Sequence, residues 1–388
     1  MKPQLLERIC CPKCHGELNP AAFVRNPDRD MQDGILICRP CSLRFPVANG
    51  VPVLLLFRTG FHKEFEKRFR SQLAEHSSTE WPSEPPGPGE SAVQDTFTEE
   101  WAPITEEDDL TFTYTMEDLI NLNRSVWLKW IPKRGAEIRS ALVVGCGAGK
   151  EVLVLSKVLG ASEIVGIDIN LAVLHSGPEF LKESRIHVVV CSLFHPPFRE
   201  ASFDLVYSQG VIHHNVSTRD AFTSISRFVR PEGFLFVWVY GLDDHLACRG
   251  FTGFVARATW WAEQILRPVV SRCPSLLRKP FFLVLGLLLH PLVLIRVRHR
   301  KIWRLKNTIH GCKDWLSPRY AHEHSFNEVI EWYEREGYEI IDVQSPAAYR
   351  DLFQKRLWGV GMTGRRTAGD GGVPSGASQP SKASGDGE

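Results

Sequence analysis

LVVGCGAGKE, residues 142–151, is an apolar run that breaks into alternating glycines and then resumes in a helical pattern. A strand, a glycine-rich turn and a helix in that order set free backbone N–H groups and the positive end of a helix dipole against the anionic part of a ligand. Gly145, Gly147 and Gly149 let that ligand come close. The dinucleotide fingerprint GxGxxG would need glycine where Lys150 stands, so plain NAD or FAD binding is disfavoured. The phosphate-cradling spacing GxxxxGK followed by Ser or Thr is absent as well.

Outward from this turn, strand-like runs alternate with helical ones. ALVVG leads into a helix from Lys150. EIVGIDI precedes a helix around Leu171 to Leu174. RIHVVVC and FDLVYS follow, then a helix from Thr218 to Val229 and the strand FLFVWVY, entered through the turn at Gly233. Strands alternating with helices predict a parallel sheet with crossover connections, an α/β fold. Upstream, Glu99 to Lys133 is aromatic and helical in places, with Trp101, Phe112, Trp127 and Trp130 as apolar markers that would cap this unit. Between Gly241 and about Trp315 the rhythm fails, and residues 241–317 read as an apolar and basic insertion. The pattern returns in SFNEVIEWYEREGYEIIDVQ, where Ser325 and Glu328 match a capping box and a strand follows Gly337. LWGVGMTGRR supplies a last strand, and the Gly-, Ser- and Pro-rich tail 367–388 is predicted to be disordered.

Asp168, in VGIDIN, closes the second strand about 20 residues after the glycine turn, where an acid can accept from both hydroxyls of a ribose. The set GCGAG, GIDIN, SFDLVYSQGVIHHN and RPEGFLFVW resembles the class I S-adenosylmethionine-dependent methyltransferases, especially their small-molecule branch, over about residues 136–240. The resemblance implies a Rossmann-like seven-stranded sheet with helices on both faces, spanning 99–366 with its insertion. It implies that Gly145, Cys146, Gly147 and Gly149 meet the methionine part of S-adenosylmethionine, that Asp168 holds the ribose and that Ile169 packs on adenine. It also adds Ser192, Leu193 and Gln209 to the cofactor wall. Many members place an Asp after the third strand, near the adenine amino group; CSLFHPPF puts Ser192 there, without the charge.

Methyl transfer from a sulfonium is an in-line displacement in which positioning does most of the work, and a base with a near-neutral pKa helps a hydroxyl or protonated amine. His213 and His214, just past the fourth strand, are the first candidates, although an equivalent pair in this branch also serves to shape the loop. DWLSPRYAHEHSF holds Asp314, Tyr320, His322 and His324, and resembles a segment of methyltransferases that carry an N-terminal zinc ribbon. It reads either as an acceptor pocket or as a helix cap.

The first 57 residues carry their own signal: CxxC pairs at Cys11/Cys14 and Cys38/Cys41 can set four thiolates around Zn²⁺. Cys10 is an alternative ligand, but Cys11 has the regular spacing. FPVANGVPVLLLF adds a turn at Asn49-Gly50 between two strand-like runs, so the module reads as a small β-rich zinc ribbon whose metal is structural. It resembles the small methyltransferase-activating subunits, which implies docking on the catalytic domain or help with substrate. EHSSTEWPSEPPGPGE marks 58–98 as a linker.

Of the 388 residues 43% are hydrophobic, and 46 Lys and Arg face 45 Asp and Glu, so no global field draws the chain to nucleic acid. MKPQLLERICCPKC lacks the apolar region of a secretory signal, which predicts a cytoplasmic, reducing setting and favours metal over disulfides. Phe281 to Ile295 is apolar, then basic through Arg296, Arg298, Arg300, Lys301, Arg304 and Lys306. The run is short for a span and His290-Pro291 is expected to break it, so residues 281–306 fit an element on the inner face of an anionic membrane, over a lipid-like acceptor, or packed as ordinary core. The function expected is methyl transfer to an O or N atom of a small or lipid-like acceptor. The alternatives are a scaffold with a vestigial fold and an RNA-modifying enzyme, the latter following from the ribbon although no RNA-binding module is present.

Overall fold

The computed structural model describes residues 1–104, 110–160, 163–176, 183–242 and 250–368. The tail expected to be disordered falls, from residue 369 on, outside the described residues, as do residues 243–249 of the insertion. The ribbon opens with α1 (Pro3–Arg8), followed by an antiparallel sheet of β1 (Asn19–Arg25), β2 (Met31–Cys38), β3 (Leu43–Ala48) and β4 (Val51–Pro52), in that order. Asn49 and Gly50 turn β3 into β4 with φ of 50° and 80°, and Ala48 faces Val51. Two left-handed residues give the turn whose twist matches a hairpin.

The ribbon does not stand apart. Past β4, Val53 bridges in parallel to Val190 and the Leu54 N–H donates to Val190 O at 2.7 Å, so the ribbon's strand continues the edge of the larger sheet. The Cys10 N–H reaches Pro197 O at 2.8 Å, and Arg8 Nε meets Glu163 at 3.0 Å. Leu5, Phe45 and Leu54 share one buried cluster with Val189, Cys191 and Phe198.

Residues 58–98, expected as a linker, are folded. They form α2 (Gly60–Arg68), α3 (Arg70–Ala74) and the start of α4 (Glu90–Trp101). Phe65, Phe69, Leu73 and Trp81 are buried, with Phe65 and Phe69 rings 4.7 Å apart. The Pro- and Ser-rich composition concealed a short amphipathic stripe, Phe61, Phe65 and Phe69 at intervals of four, which is one helical face.

The catalytic sheet contains β5 (Ser140–Val144), β6 (Glu163–Asp168), β7 (Ile186–Val190), β8 (Phe203–Gln209), β9 (Val229–Gly241), the two-residue β10 (Glu323–His324), β11 (Tyr338–Val343) and β12 (Val360–Arg366). Its order is β11-β12-β9-β8-β5-β6-β7, with β10 paired on the end of β9. β12 is antiparallel to both of its neighbours, and the remaining pairs are parallel. The chain between β4 and β5 continues through α5 (Met116–Leu122), a π-helical turn (Asn123–Trp127) and α6 (Trp130–Arg134). The crossovers carry α7 (Lys150–Leu159), α8 (Val173–Ser176) and α9 (Thr218–Ser226).

After β9 come α10 (Gly250–Val270), α11 (Ser275–Arg296) and α12 (Leu305–Leu316), then α13 (Phe326–Arg335) and α14 (Pro346–Phe353). Strand alternation sorts β5 between two cores: Leu142 and Val144 pack with Phe222, Trp332 and Tyr333, while Ala141 and Val143 pack with Trp127, Leu155 and Phe353. Both faces of the sheet are therefore covered, as a parallel sheet requires. Ser325 caps α13 by accepting from the Glu328 N–H, but the Glu328 carboxylate turns to His324 Nδ1 at 2.9 Å instead of closing the capping box.

His290-Pro291 does not interrupt α11, which runs 22 residues. Packing accompanies its continuity. Phe282 and Leu289 seat on Cys312 and Leu316 of α12, and a Cβ added at Gly286 would lie 2.5 Å from Ile309. His290 Nδ1 also meets Thr308 Oγ1 at 2.8 Å. Ser275–Ile295 is thus long and apolar enough to cross a membrane by length and composition.

Leu54 is fully buried where ribbon and sheet meet, so Leu54→Ala is expected to cost about 2–5 kcal/mol and to lower one cooperative unfolding transition. Two separated calorimetric transitions would contradict the shared core.

Candidate active site and metal centre

The turn after β5 works because its backbone is left-handed three times, with φ of 72° at Gly145, 56° at Gly147 and 91° at Gly149. Space is equally restrictive. A Cβ at Gly145 would lie 2.2 Å from Val211, and one at Gly147 would lie 2.8 Å from the Trp101 ring. Gly145 and Cys146 N–H groups donate to Ile167 O, while the Gly147 N–H donates to Asp168 Oδ2 at 2.8 Å. Asp168 Oδ1 accepts the Asn170 N–H at 2.9 Å, and Asn170 Nδ2 returns to Gly147 O. One carboxylate thus joins the ends of β5 and β6. Burial raises its pKa, against the pull of the Asn170 and Gly147 amides.

A cavity of about 360 Å³ opens here. Gly145, Cys146, Gly147, Asp168, Ile169, Ser192, Leu193 and Gln209 all line it, whereas Gly149 stays off the wall as the N-cap of α7. Ser192 is not alone at the end of β7: its hydroxyl donates to Glu90 Oε1, and Glu90 Oε2 accepts the Gly87 N–H at 2.6 Å. A carboxylate lent by α4 therefore stands where the strand itself carries none. Sequence reasoning missed Glu90 because nothing in a Pro-rich stretch signals that its end folds back over the sheet.

Glu100, Trp101, Glu151, Trp238 and Tyr240 are also on the wall without having been singled out for it. Glu151 meets the Tyr207 hydroxyl at 3.1 Å, and burial pushes its carboxyl up to about 7. Asp314, on α12, is pushed up to about 6 by burial, with Arg267 pulling the other way. Among the histidines of the described residues, His214 alone lines the cavity. Its Nδ1 donates to Tyr320 O at 2.8 Å, and burial drives its pKa down to about 4, so the ring is neutral at physiological pH.

His213 is fully buried behind it, with no partner on either nitrogen and its ring 4.0 Å from Tyr240. His322 Nε2 donates to Asn215 O, and His324 is held by Thr218 and Glu328, so both fasten the 320–326 loop away from the cavity. Of the residues expected on the acceptor side, these three rings do not line the cavity.

In the ribbon, the ligand atoms of Cys11, Cys14, Cys38 and Cys41 lie within 4.8 Å of one another. His15 and Ser42, each directly after a CxxC, share a φ of 55°, the bend that turns a knuckle around a metal. Cys10 is outside the cluster, its sulfur 3.5 Å from His15 Nδ1. Four converging thiolates fit a tetrahedral, closed Zn²⁺ site without an open coordination position.

Residues 142–237 match the family described as methyltransferase domain, and residues 2–50 match the Trm112p-like proteins. The chain carries a methyltransferase domain and a Trm112p-like ribbon. Over 55 residues the ribbon is 42% identical to a UPF0434 protein of Erwinia tasmaniensis, covering 14% of this chain and 77% of that protein. The catalytic part is 33% identical over 107 residues to mouse Probable tRNA methyltransferase 9B, 26% of this chain and 22% of that relative. The chain thus spans about a fifth of that relative's length. Among solved structures, magnesium protoporphyrin IX methyltransferase from Synechocystis PCC 6803 aligns with a TM-score of 0.42 and 11% identity, over 71% of this chain and 99% of that one. The cofactor of this methyltransferase is S-adenosylmethionine, and the glycine turn, Asp168 and the adjoining cavity fit it.

We propose that Asp168 anchors the ribose; charged hydrogen bonds of about 1.5–3 kcal/mol would be lost in Asp168→Asn, so calorimetry with S-adenosylmethionine is expected to show binding weakened about 10- to 100-fold. Unchanged affinity would reject Asp168 as the ribose anchor.

Neutral His214 makes a separate prediction. Its folded pKa of about 4 lies below the ordinary 6.5, so its contribution to stability is complete above 6.5 and is lost as pH falls toward 4. That loss is about 1.4 kcal/mol per unit, and melting curves of His214→Asn should be flatter across this window than those of the parent.

Proposed function

We propose that this methyltransferase acts on an O or N atom of a small or lipid-like acceptor taken up at an anionic membrane face. The supporting observation is the outer surface of the helical insertion. On α11 the side turned away from α12 exposes Leu276, Leu277, Leu287, Leu288, Leu292 and Ile295, from 53% to 83%. On α10, Trp261 and Ile265 are exposed by 61% and 67%. A surface this apolar on a folded chain marks a contact with something apolar.

Charge supports a lipid surface. Between residues 250 and 306 the sequence has 11 Lys and Arg and one acid, Glu263, a pattern that complements anionic headgroups. A helix crossing the bilayer would need lipid or protein of equal apolarity on every side, whereas α11 is fixed along one side to α12, which carries Lys306, Lys313 and Asp314. Lying in the interface satisfies both faces. α12 then links that surface to the chemistry: its Cys312 and Leu316 hold α11, and its Asp314 lines the cavity.

Bound S-adenosylmethionine supplies an electrophilic methyl carbon on a good leaving thioether. The chain's own part is placement. Phe97, Phe112, Trp238 and Trp358 give the cavity aromatic walls suited to an apolar acceptor, and Trp101 closes over the glycine turn.

A second reading, methylation of tRNA, draws on the likeness to Probable tRNA methyltransferase 9B. Flotation separates the two. The full chain is expected to rise with phosphatidylcholine vesicles containing phosphatidylglycerol and to be released by salt, while Leu287→Glu with Leu288→Glu stays in the dense fraction with an unchanged Tm. No association with these vesicles, together with S-adenosylhomocysteine release on unmodified tRNA, would replace the lipid reading with the RNA one.

A further inference from the structure

Among the described residues the cavity has five carboxyl groups on its wall, those of Glu90, Glu100, Glu151, Asp168 and Asp314, against a single lining Lys or Arg, Lys150. Three have work within the fold. Glu90 holds Ser192 and Gly87, Glu151 holds Tyr207, and Asp168 clasps the amides of Gly147 and Asn170. Glu100 has none. It is 1% exposed, and among the described residues neither Oε1 nor Oε2 has a hydrogen-bond partner. A buried polar group without a partner costs free energy that a ligand donor would recover.

Its surroundings define that donor. Glu100 and Asp314 both line this cavity, and the Asp314 charge adds to burial in raising the Glu100 pKa. Trp101, Phe112, Trp238 and Tyr240 supply aromatic surface around them. The cations nearby do not fill the role: Arg267 is engaged by Glu263 and Trp315 O, and Lys313 is adjacent to both carboxyls without a hydrogen bond to Glu100. A hydroxyl acceptor would offer one donor to two carboxyls, and a carboxylate acceptor would be repelled. An ammonium offers three donors and a positive charge, which carboxylates and aromatic faces both attract.

We infer that Glu100 and Asp314 form the seat for an amine nitrogen, so that the chain is an N-methyltransferase of an amphipathic amine. The inference rests on the reading of an acceptor of small or lipid-like kind and names its reactive group. An amine reaches the seat as R–NH₃⁺, and the Glu100 carboxyl releases its proton to water as the cation binds. Glu100 then takes one proton from the ammonium. The freed nitrogen pair forms the N–C bond to the methyl carbon while the C–S bond breaks with its electrons staying on sulfur. R–NH₂⁺–CH₃ and S-adenosylhomocysteine leave. Across the whole cycle one proton passes to solvent.

The test is calorimetry of the full chain loaded with S-adenosylhomocysteine, titrated at pH 7.5 with phenethylamine, phenethyl alcohol, dodecylamine and dodecanol, together with turnover of the two amines. Each amine is expected to bind at least tenfold tighter than its alcohol. Glu100→Gln and Asp314→Asn, made singly, are expected to abolish that preference while S-adenosylhomocysteine affinity changes less than twofold. Glu100→Gln removes a buried unpaired acid and is expected to hold or raise Tm, with Asp314→Asn as the independent check on folding.

Alcohols binding as tightly as amines, a preference that survives both substitutions, or no binding by either amine would overturn the seat. Phenethylamine binding without dodecylamine binding would leave the seat standing and remove the lipid-like acceptor. Dodecanol matching dodecylamine would do the reverse.

Discussion

The Asp168 carboxylate is the constraint on which the site depends. Its two oxygens receive the Gly147 and Asn170 amides, and Asn170 in turn grips Gly147 O, so the glycine turn and the end of β6 are fixed as one piece. Without that clasp, three alternating left-handed glycines would be a loose loop, because glycine gives up the most conformational freedom on ordering. With it, backbone amides and a helix N-terminus face a cavity whose floor is set before any ligand arrives, which is the pre-organisation that an in-line displacement needs.

What surrounds this clasp comes from outside the sheet. α4 crosses the cavity and contributes Glu90, Glu100 and Trp101, while α12 contributes Asp314 from the other side. Burial raises the pKa of Glu100, Glu151 and Asp314, with the Asp314 charge adding to it at Glu100, and buried carboxyls make the pocket receptive to cations. The same logic disfavours His214 as the base: a ring held neutral down to about pH 4 accepts a proton poorly near neutrality. On the amine reading proposed above, acid–base work falls to carboxyls that no motif marks rather than to the histidines of the motif.

The ribbon and the insertion serve the sheet differently. The ribbon is joined through the Leu54–Val190 hydrogen bond and a common core, so zinc-dependent order at Cys11, Cys14, Cys38 and Cys41 reaches β7, whose end bears Ser192. The insertion joins through α12 and leaves its apolar side outward. The first attachment is a shared core beside the end of β7, and the second is the packing of α11 on α12.

How much of this was readable from sequence follows from the range of the forces involved. Hydrophobic alternation fixed the parallel strands from β5 to β9, turn chemistry fixed Asn49-Gly50, and the CxxC spacing fixed the four thiolates, because each is a local pattern within a few residues. Likewise the glycines and Asp168 were legible, sitting at strand ends whose positions the period dictates. Composition misled where tertiary packing overrode it: the Phe61, Phe65 and Phe69 stripe made residues 58–98 a folded strap, and seating on α12 carried α11 through Pro291. Glu90, Glu100 and Asp314 lie far apart along the chain, and only the folding of α4 and α12 over the sheet gives them a common dry space, since burial and mutual charge are properties of three-dimensional neighbours.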